Sequence, residues 1–150
     1  MLIFWRDQMS VDGGLIDDDH RALIAIINEF AAAPVTPAGI PVLVRILGKL
    51  HRYTKTHFER EETLQKAVNY PFHDAHRHAH KDLIRQLSEV RAELKDKAAA
   101  YDIAAMHSRL ENFLHHWVID HIIEADLRMK PYTKAMRAHA SKLSTQLTAE

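Results

Sequence analysis

The chain has 150 residues, enough to bury one core without disulfides, and its twenty Lys plus Arg balance twenty Asp plus Glu, so no general attraction draws it to nucleic acid or an anionic membrane. Cysteine is absent, which excludes thiolate metal sites and thiol nucleophiles and leaves His, carboxylate and backbone as the available metal ligands. The apolar start Met1 to Trp5 is too short for a signal peptide and no stretch is long enough to span a bilayer, so a single-domain cytoplasmic protein is expected.

Gly and Pro gather at Gly13-Gly14, Pro34 to Pro41, Pro71 and Pro131, and between these breaks the pattern is helical. The first predicted helix runs from about Asp18 to Ala33, with Asp17 or Asp18 as N-cap and Leu23, Ile24, Ile27 and Phe30 on its apolar face. His20 falls on that same face.

The second, about Ile40 to Val68, carries an inward stripe of Leu43, Leu47, Leu50, Thr54, His57, Glu61, Leu64 and Val68 in steps of four and three. The third, about His73 to Lys97, continues the alternation with His76, His80, Leu83, Leu87, Val90 and Leu94. The fourth, about Asp102 to Met129, places Ile103, Met106, Leu110, Phe113, Trp117 and His121 on one stripe.

Long amphipathic helices joined by short connections predict an all-α, antiparallel up-down-up-down four-helix bundle over about 18–130, with a non-helical N-terminal arm. Residues 131–150 form an extension, where Met136, Ala140, Leu143 and Leu147 outline a short amphipathic helix. It is expected to pack on its own bundle, so a monomer is expected, with a dimer contact there as the alternative.

The chain has twelve histidines, and the inward ones form a pattern. Residues four apart share a helix face, so His57 with Glu61 and His76 with His80 are two-toothed chelates aimed at the bundle axis. They flank the turn at Asn69 to Phe72 and reach comparable depth, as His121 and His20 do from the outer helices. Burying this many polar groups in an apolar seam costs several kcal/mol unless each finds a partner. Metal ligation supplies partners, and five His plus a carboxylate exceed what one tetrahedral ion takes, which points to two ions. His51, His73, His78, His107, His115, His116 and His139 fall outside the pattern and are expected to be mostly solvated or near the ligands without binding metal. The run Glu59 to Glu62 is expected to be a solvated face except for Glu61.

The pieces Ile16-Asp17-Asp18-Asp19-His20, His57-Phe58-Glu59-Arg60-Glu61-Glu62, Tyr70-Pro71 followed by His76-x-x-x-His80, and Trp117-x-x-x-His121-x-x-x-x-Asp126 occur in the order found in the hemerythrins. The sequence resembles that family, particularly its single-domain bacterial members, over nearly its whole length. The resemblance implies two iron ions joined by an oxo or hydroxo group. By it His76, His80 and His121 bind one iron, His20 and His57 bind the other, and Glu61 and Asp126 bridge them. On helical spacing Asp126 lies about 140° from the face of His121, so Glu124 is the better helical partner. The family pattern favours Asp126, which a bulge or a loosened final turn would bring inward.

The resemblance further implies that Leu23, Phe58, Trp117, Val118 and Ile122 line an oxygen pocket. An apolar wall without a nearby acid denies protons to reduced oxygen, which favours reversible binding over oxidation. Val118 stands where the family usually has Leu, and Met129 where Tyr commonly follows the Asp by three, so a slightly wider pocket and altered ligand surroundings are expected. The leading expectation is a non-enzymatic carrier or store of dioxygen. The alternatives are a sensor of oxygen, nitric oxide or redox state signalling through the C-terminal segment, a di-iron oxidase, peroxidase or iron-handling protein, and a zinc site. Nitric oxide and small anions are further expected ligands.

Overall fold

The computed structural model describes residues 1–97 and 102–148, with side chains up to 96 and from 102 to 142. Five α-helices follow in chain order: α1 (Leu15–Ala32), α2 (Ile40–Ala67), α3 (His73–Lys97), α4 (Ile103–Glu124) and α5 (Thr133–Thr148). The described residues contain no strand. The first four helices make the predicted bundle, in which α2 packs on α1 and α3, and α4 packs on α1. Among the described residues, 3-10 turns punctuate them at Asp7–Met9, Pro37–Gly39 and Asp126–Tyr132.

Helix α1 begins three residues before the predicted start: its N-cap is Gly14, and the carboxylate that serves its first amides belongs to Asp12, two residues earlier, rather than to Asp17 or Asp18. Asp12 accepts from the amides of Gly14 (2.9 Å), Ile16 (3.1 Å) and Asp17 (3.1 Å), the free donors of a helix start. Asp17 reaches back to accept from the amides of Val11 (2.7 Å) and Gly13 (3.0 Å) and from the Ser10 hydroxyl (2.6 Å). Gly13, at φ +64°, supplies the left-handed step that this loop requires. The N-terminal arm is not wholly irregular, since it contains one 3-10 turn, and its Ile3 and Met9 join the main core.

The α2–α3 reversal sets the depth of both chelating pairs. Asn69 adopts φ +53° one residue past the C-cap; its amide donates to Lys66 O (3.2 Å) and the Tyr70 amide donates to Gln65 O (2.9 Å). These two bonds satisfy the last carbonyls of α2 and turn the chain within a few residues.

Helix α4 ends at Glu124, short of the predicted Met129. The amide of Ala125 closes the last α-turn on His121 O (2.9 Å), and the Arg128 amide then donates to Ala125 O (3.2 Å) in the tighter 3-10 pattern. Helix α5 packs on its own bundle: Met136 is buried with Val11, Ile16, Leu64, Tyr70 and Met129, and the Arg137 guanidinium donates to Asp12 O (2.9 Å). The side chains of Leu143 and Leu147 lie outside the described residues. No helix among the described residues is long and apolar enough to cross a membrane.

Candidate metal centre

All seven predicted ligands converge at one level of the bundle. His20, His57, Glu61, His76, His80 and Asp126 are buried, and the His121 side chain retains only 9% exposure. Their donor atoms fall into two sets, Glu61, His76, His80, His121 and Asp126 in one and His20, His57, Glu61 and Asp126 in the other, each with all donors within 4.8 Å of one another.

The two carboxylates belong to both sets and divide their oxygens between them. Glu61 Oε1 lies 2.6 Å from His76 Nε2 and 3.2 Å from His80 Nε2, while its Oε2 lies 3.2 Å from His57 Nε2. Asp126 Oδ1 lies 3.0 Å from both His76 Nε2 and His121 Nε2, and its Oδ2 lies 3.0 Å from His20 Nε2. With metal–ligand bonds of about 2.1 Å, donors at right angles about one ion stand about 3.0 Å apart. Several of these atoms, including Nε2 of His20, His57, His80 and His121 and both Asp126 oxygens, are buried without an aligned hydrogen bond. Clustered donors that do not bond one another fit a cation at each centre.

Glu124 is exposed and Asp126 is fully buried. The change from α to 3-10 winding after Ala125 accomplishes this, in place of a bulge within α4. The break in the backbone at Ala125 (φ −113°, ψ −55°) releases Asp126 from the α4 register, so its side chain no longer follows the helical spacing from His121.

Partners outside the two sets orient the imidazoles. His57 Nδ1 is 2.8 Å from Asp19 Oδ2, and Asp19 is held in turn by Arg60 (2.6 and 3.2 Å) and the Tyr53 hydroxyl (3.0 Å). His80 Nδ1 is 3.1 Å from Glu62 Oε1. Glu62 is thus not part of a solvated face, because the side chain is long enough to reach across the α2–α3 seam. Phe58 stacks on His80 at 3.7 Å between centroids and packs obliquely on His57 and His121. Tyr70 meets His76 edge-on, with its hydroxyl buried and unbonded. Among the histidines set aside, His107 is a core residue that stacks on Phe30 and bonds to Phe30 O (2.9 Å). None of the seven joins either donor set.

Burial disfavours a charged His57, but its bond to Asp19 and the nearby Glu61 and Asp126 carboxylates outweigh burial and push the imidazole up to about 10. His76 is pushed up to about 9 against the same penalty by Asp126 and Glu61. Burial also raises Glu61 and Asp126, and Asp126 repels Glu61, yet the surrounding histidines hold both well below the usual carboxylate range. Protons on imidazole thus neutralise these carboxylates when no metal does.

A small cavity adjoins the cluster, open to the centre of a water-sized molecule over only about 10 Å³. All five predicted pocket residues, Leu23, Phe58, Trp117, Val118 and Ile122, line it. Leu83 also lines it and was missed, although its place on the α3 stripe one turn from His80 was the available signal. Met129 is buried below the cluster and accepts from the Gln65 amide at 3.2 Å.

Residues 14–133 match the family model described as the hemerythrin HHE cation binding domain. The chain is 27% identical over 145 residues to a bacteriohemerythrin of Stenotrophomonas maltophilia, covering 97% of this chain and 88% of the relative. It is 28% identical over 141 residues to a bacteriohemerythrin of Pseudomonas aeruginosa, covering 94% and 86%. A myohemerythrin of Sipunculus nudus is 24% identical over 126 residues, covering 84% and 89%.

Proposed function

The chain belongs to the hemerythrin family, and on that premise we propose that it binds dioxygen reversibly at a di-iron centre, for storage, delivery or buffering. The observation that carries this reading is the shared pair of carboxylates: each presents one oxygen to a three-histidine set and the other to a two-histidine set. In this assignment His76, His80 and His121 hold one iron, His20 and His57 hold the other, and Glu61 and Asp126 hold both. Bound there, the irons supply the electrons and the open coordination position that dioxygen needs.

The protein's own contribution is positional and electrostatic. The cavity touches both imidazoles of the two-histidine set but only His121 of the three-histidine set, so the space for a small ligand adjoins the position that has fewer protein donors. Its remaining walls are apolar apart from Asp126, whose carboxylate is held deprotonated. A wall that offers no acid denies protons to reduced oxygen, which supports binding rather than turnover.

A second reading, sensing of oxygen, nitric oxide or redox state, draws on the burial of Met129 and Met136 in one small core. Met129 is three residues from Asp126, so a shift at the carboxylate has a packed route to α5. Equal protease sensitivity of α5 in reduced, oxidised and oxygenated protein would remove that support.

The deciding experiment is to load the protein with iron, reduce it without air, admit oxygen and follow the visible spectrum. A charge-transfer band that appears with oxygen and disappears on degassing, with about two irons per chain, is the expected result. Irreversible oxidation on first contact would favour sensor or oxidase chemistry, and a colourless protein loaded with zinc alone would end the iron reading.

A further inference from the structure

The small cavity beside the cluster and a groove of about 750 Å³ on the molecular surface share a wall. The groove runs between α3 and α4, and Leu83, Trp117 and His121 line both spaces. This seam is where the bundle closes least, since α3 and α4 make far fewer close backbone approaches than α3 makes with α2. One hydrogen bond spans it at this level, from Trp117 Nε1 to Leu83 O at 3.1 Å. Trp117 is buried, as are the other apolar walls Leu23, Phe58, Val118 and Ile122, whereas Leu83 is half-buried, and of these walls Leu83 and Trp117 alone also face the groove. The Leu83–Trp117 pair is therefore the thinnest barrier between the cavity and solvent.

The mouth of the groove carries an excess of acid. Asp82, Asp120 and Glu124 line it and are exposed. Against them stand Arg85, whose guanidinium lies 3.6 Å from Asp82 while also pairing with Glu89, the exposed imidazole of His116, 3.7 Å from Asp120, and the guanidinium of Arg109, already engaged by Glu93, so the uncompensated acid is at Asp120 and Glu124. Glu124 has no ion-pair or hydrogen-bond partner among the described residues. A low-dielectric slot rimmed by one sign of charge repels ions of that sign and leaves neutral molecules unaffected.

We propose that the α3–α4 groove is the ligand entrance, that Trp117 and Leu83 form its barrier, and that the acidic mouth selects uncharged diatomic molecules over anions. The proposal rests on the oxygen-binding reading above. Passage requires the indole or the Leu83 side chain to move aside, so the barrier governs both arrival and departure of a ligand. The carboxylates act on charged ligands alone.

Three measurements test this. In stopped flow, azide association with the ferric protein accelerates with added salt, because salt screens the mouth, while oxygen association with the reduced protein is independent of salt. Asp120→Asn with Glu124→Gln accelerates azide association by about fivefold at low salt and leaves oxygen association as it was. Trp117→Phe, which keeps a ring and loses the bond to Leu83, raises oxygen association and dissociation together, each by about tenfold. Azide association that slows with salt, or that ignores the double variant, overturns the acidic mouth; a change in only one oxygen rate overturns the barrier.

A metal-free arm separates this proposal from the functional reading. With Trp5→Phe, Trp117 is the sole indole, and caesium then quenches its fluorescence more efficiently than iodide, with the difference fading in salt. Equal or better quenching by iodide overturns the entrance even if oxygen binds reversibly. Loss of reversible oxygen binding alongside the expected quenching overturns the function and leaves the groove's selectivity standing.

Discussion

Nδ1 of His57 lies 2.8 Å from Oδ2 of Asp19, and the other Asp19 oxygen is held by Arg60 at 2.6 Å and the Tyr53 hydroxyl at 3.0 Å. This arrangement fixes Nδ1 as the donor and turns Nε2 toward Glu61. An imidazole so anchored gives up no rotational freedom on binding metal, and the carboxylate makes it a stronger base. Asp19→Ala is expected to weaken the occupancy of the two-histidine position by about 10- to 100-fold, read by chelator competition. Asp19→Asn should cost less, because an amide oxygen can still accept from Nδ1.

Asp126 and Glu124 are separated by only two residues but by the end of α4, and their burial is opposite. Asp126→Ala should reduce the iron content and abolish the oxygen-dependent band, whereas Glu124→Gln should retain full iron loading by metal analysis. Equal iron loss in both variants would reassign the bridging carboxylate.

The metal-free protein should be most stable near neutral pH. His57 at about 10 and His76 at about 9 lie above the unfolded value of about 6.5. Their contribution is therefore complete below that value and is lost as pH rises through about 9 to 10. Glu61 is held low by His57, His76 and His80, and Asp126 by His121, His20 and His76, both against the cost of burial, so their contribution is present above the ordinary carboxylate range and is lost on acidification. Metal must displace the imidazolium protons, so affinity should rise with pH and loading should release protons. Denaturant melts at pH 4, 7 and 10, and calorimetric loading in buffers of different ionisation enthalpy, check both signs; a metal-free protein more stable at pH 10 than at pH 7 would contradict the assignment.

Met136 on α5 is 1% exposed and packs with Val11, Ile16, Leu64, Tyr70 and Met129. Met136→Ala should destabilise the protein by about 2–5 kcal/mol through the cavity it leaves, measured by urea denaturation. Because Tyr70 packs on both this core and His76, the same variant should also accelerate iron loss to a chelator. A neutral result would mean that α5 is dispensable to the bundle.

Asp12 ties the start of α1 to α5 by accepting from three amides with its carboxylate and from Arg137 with its carbonyl. Asp12→Ala should cost about 1–2 kcal/mol as a lost helix cap. Arg137→Ala should cost less, since that bond is only partly buried. Thermal melts of the two variants give the comparison.

The sequence by itself determined the bundle and which side chains of α2 and α3 share its inward face. Helical periodicity is a local property: the four-residue spacing of His57 and Glu61, and of His76 and His80, places each pair on one face whatever surrounds it, and the apolar residues between them choose the inward face. Sequence spacing could not choose between Glu124 and Asp126, because the choice depends on where α4 gives way to 3-10 winding. The family pattern favoured Asp126, and the tertiary structure supplies the physical reason. Nor did spacing reveal Asp12 as the carboxylate that serves the first amides of α1, since that loop closes on amides ahead of the periodic segment. Asp19 against His57, 38 residues apart, Glu62 against His80 and Leu83 against Trp117 are contacts between different helices, set by rotation and depth rather than by order along the chain. Only the tertiary structure decided how the two carboxylates divide their oxygens, because that division requires four helix axes to meet at one level with donors about 3 Å apart.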